Sequence, residues 1–172
     1  MAWFQGRARR KIAEAWHRNI LRLARTPAPF ASGWIDDSFE GRFQMVTLVS
    51  TLALRRIRTV EDGTQLADLV YREVFSGLDH AFREEGVGDA TIARKMRGLG
   101  EEFFGLAKAL DADFTSSDTV SQITATIDRN GIANPGYSGQ LAEWVVELEA
   151  RLGAAADSDV QSADLPDAVY QP

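Results

Sequence analysis

Apolar residues recur at helical spacing along most of this chain. In RARRKIAEAWHRNILRLAR, Ile12, Trp16, Ile20 and Leu23 share one stripe, while Arg7, Arg10, Arg18, Arg22 and Arg25 lie largely off it. Residues 7–25 therefore read as an amphipathic helix with a basic polar face. TPAPFASGW, with Pro27, Pro29 and Gly33, ends that helix, and residues 26–37 are expected to be linker. In Asp37-Ser38-Phe39-Glu40, Asp37 is placed to be an acidic N-cap and Glu40 to reach back to it, the pattern of a capping box. The helix this opens runs to about Arg58. Phe43, Met45, Val46, Leu48, Val49, Leu52, Ala53 and Leu54 leave it apolar on almost every side, which predicts a central position.

Asp62-Gly63-Thr64 starts the next helix, in which Leu66, Val70, Val74, Leu78 and Phe82 repeat at i+4. Gly86 is expected to close it in the left-handed conformation. Asp89 is then expected to cap a helix with Ile92, Met96, Leu99, Phe103, Leu106 and Leu110 on one stripe. Two shorter helices are predicted near Asp118–Arg129 and Gly139–Leu152, followed by Gly131 and Gly153 respectively, with Asn134-Pro135-Gly136 turning between them. No segment alternates with the period of two that marks a strand. The fold class is all-α: one helical domain of about five to six helices over residues 1–153, with 38–110 as its central part and 111–153 as its less regular end. Residues 154–172 hold four acids, no base and few apolar residues, and are expected to be a disordered acidic tail.

Composition narrows this picture. The chain has 172 residues, 45% of them hydrophobic and 26% charged, as in a soluble globular domain. Cysteine is absent, which removes disulfides, thiolate catalysis and Cys-ligated metal sites, and suits a reducing compartment. The longest apolar run, Met45 to Leu54, is far short of the roughly 20 residues a membrane span needs. The first residues have no apolar stretch of the kind a secretory signal requires. The net charge of −6 is uneven: Met1–Lys108 carries 17 basic and 14 acidic residues, and Ala109–Pro172 carries two basic and 11 acidic ones. A basic front and an acidic back point to a local basic surface and away from general DNA binding.

Sites for chemistry are sparse. Gly86-Val87-Gly88-Asp89 has neither the third glycine and preceding strand of a dinucleotide fingerprint nor the Lys of a P-loop, and reads as a helix end, a turn and a helix start. Glu14 and His17 have Glu-x-x-His spacing, but a di-iron bundle needs a second copy and two more inward Glu residues. Asp36, Asp37 and Glu40 resemble half of the aspartate-rich Mg²⁺ motif of helical prenyl-transferring enzymes, without a facing partner. A helical metal- or isoprenoid-dependent enzyme is thus one alternative, and a lipid- or RNA-binding basic helix is another. The remaining signal is surface. Arg94, Lys95 and Arg97, with Arg18 and Arg22 of the first helix, could meet acidic protein, headgroups or rRNA phosphate, or simply pair along their own helix, as Arg97 with Glu101. Phe104, displaced about 100° from the buried stripe of Phe103, is a candidate protein-contact anchor.

Several blocks together resemble the ubiquinol–cytochrome c chaperone family: EGRF at Glu40–Phe43 opening an apolar helix that ends LRRIR, REEGVGDATIARKMRGLGEEFFG at Arg83–Gly105, and ARTPAPFASGWIDDSFEGRF between them and the basic helix. The resemblance covers about Arg9 to Leu110. It implies a helical, non-catalytic assembly factor with no cofactor, which binds newly made cytochrome b, acts with a small helper protein and works near the ribosome or the membrane surface. It further implies a bacterial member, cytoplasmic or peripheral on the inner membrane. At Leu106 the chain departs from the family's pattern, where an arginine is expected after the aromatic pair and glycine.

Overall fold

A computed structural model describes residues 2–86 and 88–171. Among them are eight α-helices, a single 3-10 turn and no strand. The helices are α1 (Ala2–Ala24), α2 (Pro27–Ala31), α3 (Phe39–Ile57), α4 (Gly63–Glu84), α5 (Asp89–Asp113), α6 (Thr119–Arg129), α7 (Ser138–Ala154) and α8 (Asp157–Ser162), and the 3-10 turn is Asp167–Val169. The all-α expectation holds. The count exceeds five to six because α2 forms inside the expected linker and α8 inside the expected tail.

The predicted stripes face inward. Trp16 and Ile20 of α1, Leu48 and Leu52 of α3, Val70 of α4, Leu110 of α5, Ile123 of α6 and Leu148 of α7 are all fully or almost fully buried in one core. The all-round apolar helix α3 packs on α1, α4, α5, α7 and α8, which is why it needs no polar face. Its hydroxyls are satisfied locally: Ser50 Oγ donates to the Val46 carbonyl at 2.6 Å and Thr51 Oγ1 to that of Leu48 at 2.7 Å.

Five expectations need correction. The linker is partly ordered, with Pro29 and Ile35 buried, because two prolines preset the backbone of a short helical turn and apolar side chains follow. The N-cap of α3 is Ser38, whose Oγ accepts from the Gly41 amide at 3.1 Å; Asp37 instead pairs with Arg42, and Glu40 lies in the first helical turn. Similarly Gly88, not Asp89, is the N-cap of α5, since the Asp89 carboxylate is taken by Arg83. Gly153 lies within α7 and does not follow it.

The fifth correction is the tail, which is folded. Val160 and Val169 are buried, Leu165 nearly so, and Tyr170 packs on the core. Trp16 Nε1 donates to the Val160 carbonyl at 2.8 Å and Asn19 Nδ2 to that of Ala163 at 2.9 Å. Arg56 donates to the carbonyls of Leu152 and Ala155 and pairs with Asp157 at 2.7 Å. Average composition misled here because Val160, Leu165 and Val169 point inward while Asp157, Asp164 and Asp167 stay exposed.

Two glycines explain local closeness. At Gly41 a Cβ would sit 2.0 Å from the Asp36 carbonyl oxygen, so the Glu40–Phe43 stretch admits no side chain there. Gly86 ends α4 with φ +77, as expected of a left-handed C′ residue. Val87, beside it in the expected turn, lies outside the described residues.

Candidate functional site: an apolar groove with a basic rim

The end of α1, the start of α3 and the second half of α4 enclose a groove of about 380 Å³. Leu21, Ala24, Phe39, Phe43, Val46 and Leu78 supply its apolar walls. They come from three different periodic stripes. Phe39, at 38% exposure, is one of the exposed large hydrophobic residues of the chain; it sits in the first turn of a helix that is apolar all round and is not fully covered at that end. Behind the groove the α1 and α4 backbones approach where His17 lies over Gly77. A Cβ at Gly77 would be 2.7 Å from the His17 ring, so glycine makes the space for the imidazole. Burial lowers the His17 pKa below 6.5, with Glu73 opposing and Arg18 reinforcing the shift, so the ring is neutral near pH 7.

The rim carries basic residue types. Arg25, Arg42, His17 and His80 line the groove, and among its described lining residues there is no carboxylate. Arg42 is held by Asp37 at 2.6 and 3.2 Å, a hydrogen-bonded pair that holds the Asp37 carboxyl below its ordinary range. His80 lies 3.3 Å from Glu84. Arg25 makes no side-chain hydrogen bond or ion pair among the described residues. Two adjoining depressions continue the trough: one of about 450 Å³ beside Pro27, Phe30 and Ala31, and one of about 430 Å³ beside Ala28, Arg22 and Tyr170. Arg25 lines all three.

The residues singled out from sequence are distributed differently. Arg94, Lys95 and Arg97 are exposed on α5, and Lys95 Nζ sits 5.2 Å from the Phe82 ring centre. Arg94 and Arg97 form no ion pair among the described residues, so the Arg97–Glu101 pairing is not made. Phe104 is 56% exposed while Phe103 is buried, the offset expected from their adjacency on a helix. Phe104 stacks on Tyr71 at 5.4 Å, at the edge of a ring cluster with Phe75 and Phe103. Arg18 is exposed; Arg22 is engaged by Tyr170, 3.6 Å from its ring centre, and by Asp167 at 3.7 Å. These six residues do not form one surface. Leu106, where the resemblance led to an arginine, is a buried core residue.

The groups of the enzyme alternative are committed elsewhere. Glu14 faces Arg10 at 3.4 Å, Asp36 accepts from Asn134 Nδ2 at 2.7 Å, and Asp37 is paired with Arg42. Among the described residues no cluster of three or more His, Asp or Glu side chains is placed to hold a metal ion. Likewise no helix among them is long and apolar enough to cross a membrane. What sequence reading missed is the groove. Its one advance signal was Leu21 and Val46, apolar residues that the inward stripes of α1 and α3 leave partly uncovered.

Comparison with known proteins agrees with this architecture. A family model described as ubiquinol-cytochrome C chaperone matches residues 34–166. The crystal structure of the Cbp3 homolog from Brucella abortus is similar, with 25% sequence identity and a TM-score of 0.76 over 94% of this chain and 91% of that chain. No curated protein sequence matches this chain.

Proposed function

This chain belongs to the ubiquinol–cytochrome c chaperone family, and from that premise we propose that it is a non-catalytic assembly factor that holds newly made cytochrome b during biogenesis of ubiquinol–cytochrome c reductase. The observation that carries the reading is the apolar groove bordered by Arg25, Arg42, His17 and His80. A membrane protein caught before insertion exposes apolar helices, and such a helix lowers its free energy by laying one face into an apolar cleft. The groove lies on a helical frame in which Glu14, Asp36 and Asp37 are engaged in internal pairs, and no chemical step is assigned to it.

The α5 surface has a separate task in this reading. Arg94, Lys95 and Arg97 would contact anionic headgroups or the ribosome, and Phe104 would anchor a small helper protein. The protein would then work in the cytoplasm, peripherally at the inner membrane.

A deletion strain tests the assignment. The reduced-minus-oxidised spectrum of its membranes is expected to lose the b-type haem signal together with quinol–cytochrome c reductase activity, and the gene is expected to restore both. Restoration is expected to fail with Leu78→Asp, provided the variant accumulates and is folded. An unchanged spectrum with full reductase activity in the deletion strain overturns the reading.

A further inference from the structure

We infer that the trough selects an apolar helical segment carrying an acidic side chain, with Arg25 as the group that reads the carboxylate; this rests on the reading of the groove as the client site. Most basic residues along α1 already have partners. Arg9 is bound by Asp62 at 2.6 Å and Gln65, Arg10 faces Glu14 and Glu73, and Arg22 is engaged by Tyr170 and Asp167. On the rim itself Arg42 is neutralised by Asp37 and His80 faces Glu84. Arg25 has no such partner among the described residues, and it is the residue common to all three depressions.

A guanidinium at that junction serves an occupant that places apolar side chains on both sides of it and a carboxylate between them. A helix does this naturally, since side chains three and four residues apart project from one face at repeated intervals. Charge also works by exclusion. A segment bearing Lys or Arg at the same place would meet the Arg25 guanidinium, while Asp37, the one carboxylate among the described lining residues of the trough, is already held by Arg42. The carboxylate thus sets the register of an otherwise slippery apolar contact, and a guanidinium is suited to this by its forked donors.

The test uses the full chain and two fluorescent amphipathic peptides of roughly five helical turns, identical but for one Glu or Gln beside the apolar face. Anisotropy titration is expected to show the Glu peptide binding about tenfold more tightly, a charge-assisted hydrogen bond at a partly exposed site. Arg25→Met should bring the Glu peptide to the level of the Gln peptide, and higher salt should narrow the gap. Arg18→Met, on α1 but outside the trough, should leave the preference intact. Thermal unfolding of both variants checks that these exposed substitutions leave the fold in place. Equal binding of the two peptides, or a preference that survives Arg25→Met, overturns the inference while leaving the groove as client site. If neither peptide binds, the client-site reading falls as well. Arg25-dependent binding of phosphatidylglycerol vesicles without peptide binding would then reassign the trough to the membrane surface.

Discussion

The main core and the smaller apolar cluster at the α4–α5 end are built from the same helical stripes but differ in how they are closed. The main core is sealed on all sides by α1, α3, α5, α6, α7 and the C-terminal segment, and Trp16, Ile20, Leu48 and Leu52 in it are fully buried. The smaller cluster consists of Phe43, Phe82 and Ile92, with Leu78, Met96 and Leu99 only partly covered around it. Phe82 there is bordered by the rings of Phe39 and Phe43 at 5.5 and 5.7 Å and by the Lys95 ammonium. Phe39, Phe43 and Leu78 are at once members or neighbours of this cluster and walls of the groove. A thinly sealed cluster opens at lower free energy than a closed core. The groove therefore lies against the part of the molecule whose packing is cheapest to rearrange, which suits a surface that must accept segments of differing shape.

The sharpest way to break the comparison is to damage the sealed side. Trp16→Ala is expected to destabilise the fold by about 3–5 kcal/mol in denaturant titration, since it opens a cavity and removes the indole donor to the Val160 carbonyl, which among the described residues keeps only the Ala163 amide at 3.3 Å. Limited proteolysis of that variant should cut first in residues 155–171, which Trp16 and Asn19 help to hold.

The corresponding change in the smaller cluster should be milder. Phe82→Ala is expected to cost about 2 kcal/mol, below the usual range for a buried aromatic because partly exposed neighbours can close in. Native-state hydrogen exchange should show the loss as faster exchange in residues 89–99 while α3 amides keep their protection. Uniform acceleration across α3 would mean the two clusters are one cooperative unit.

Gly41→Ala addresses the contact between the start of α3 and the preceding linker. Its Cβ would meet the Asp36 backbone, so the linker must shift, at roughly 1–3 kcal/mol. A crystal structure of the variant should show displacement at residues 35–38 and a wider groove beside Phe39.

The smallest effect is one of pH. Because burial lowers the His17 pKa from 6.5, the unfolded chain binds this proton more readily than the folded one. The contribution of neutral His17 to stability is thus complete above pH 6.5 and is lost as pH falls through the lowered folded value. The melting temperature of the native protein should fall more between pH 7.5 and 5.5 than that of His17→Asn. Parallel decreases would show that His17 is not the group responsible.

Much of the fold was legible because helical periodicity depends on local chemistry. Stripes such as Ile12–Trp16–Ile20 and Leu66–Val70–Val74, and the left-handed Gly86, follow from side-chain direction and backbone sterics that act within one or two turns. Capping was less legible, since Asp37 and Asp89 are each good caps until an arginine competes for the carboxylate. The tail was misread because four acids dominate its composition, whereas its structure rests on Val160, Leu165 and Val169 finding places on a distant surface.

By itself, then, the sequence determined that this protein is all-α, which face of each long helix turns inward, and which family it resembles. Tertiary structure alone decided where a stripe changes core. Along α4, Val74 belongs to the main core, Phe82 to the smaller cluster, and Leu78, between them, touches both and lines the groove. Nothing in an i+4 repeat distinguishes these three positions, because periodicity encodes direction and not what lies in that direction. The same holds for charge: Arg22 and Arg25 are neighbours on a helical wheel, and only the folded C-terminal segment occupies one and leaves the other to meet a partner.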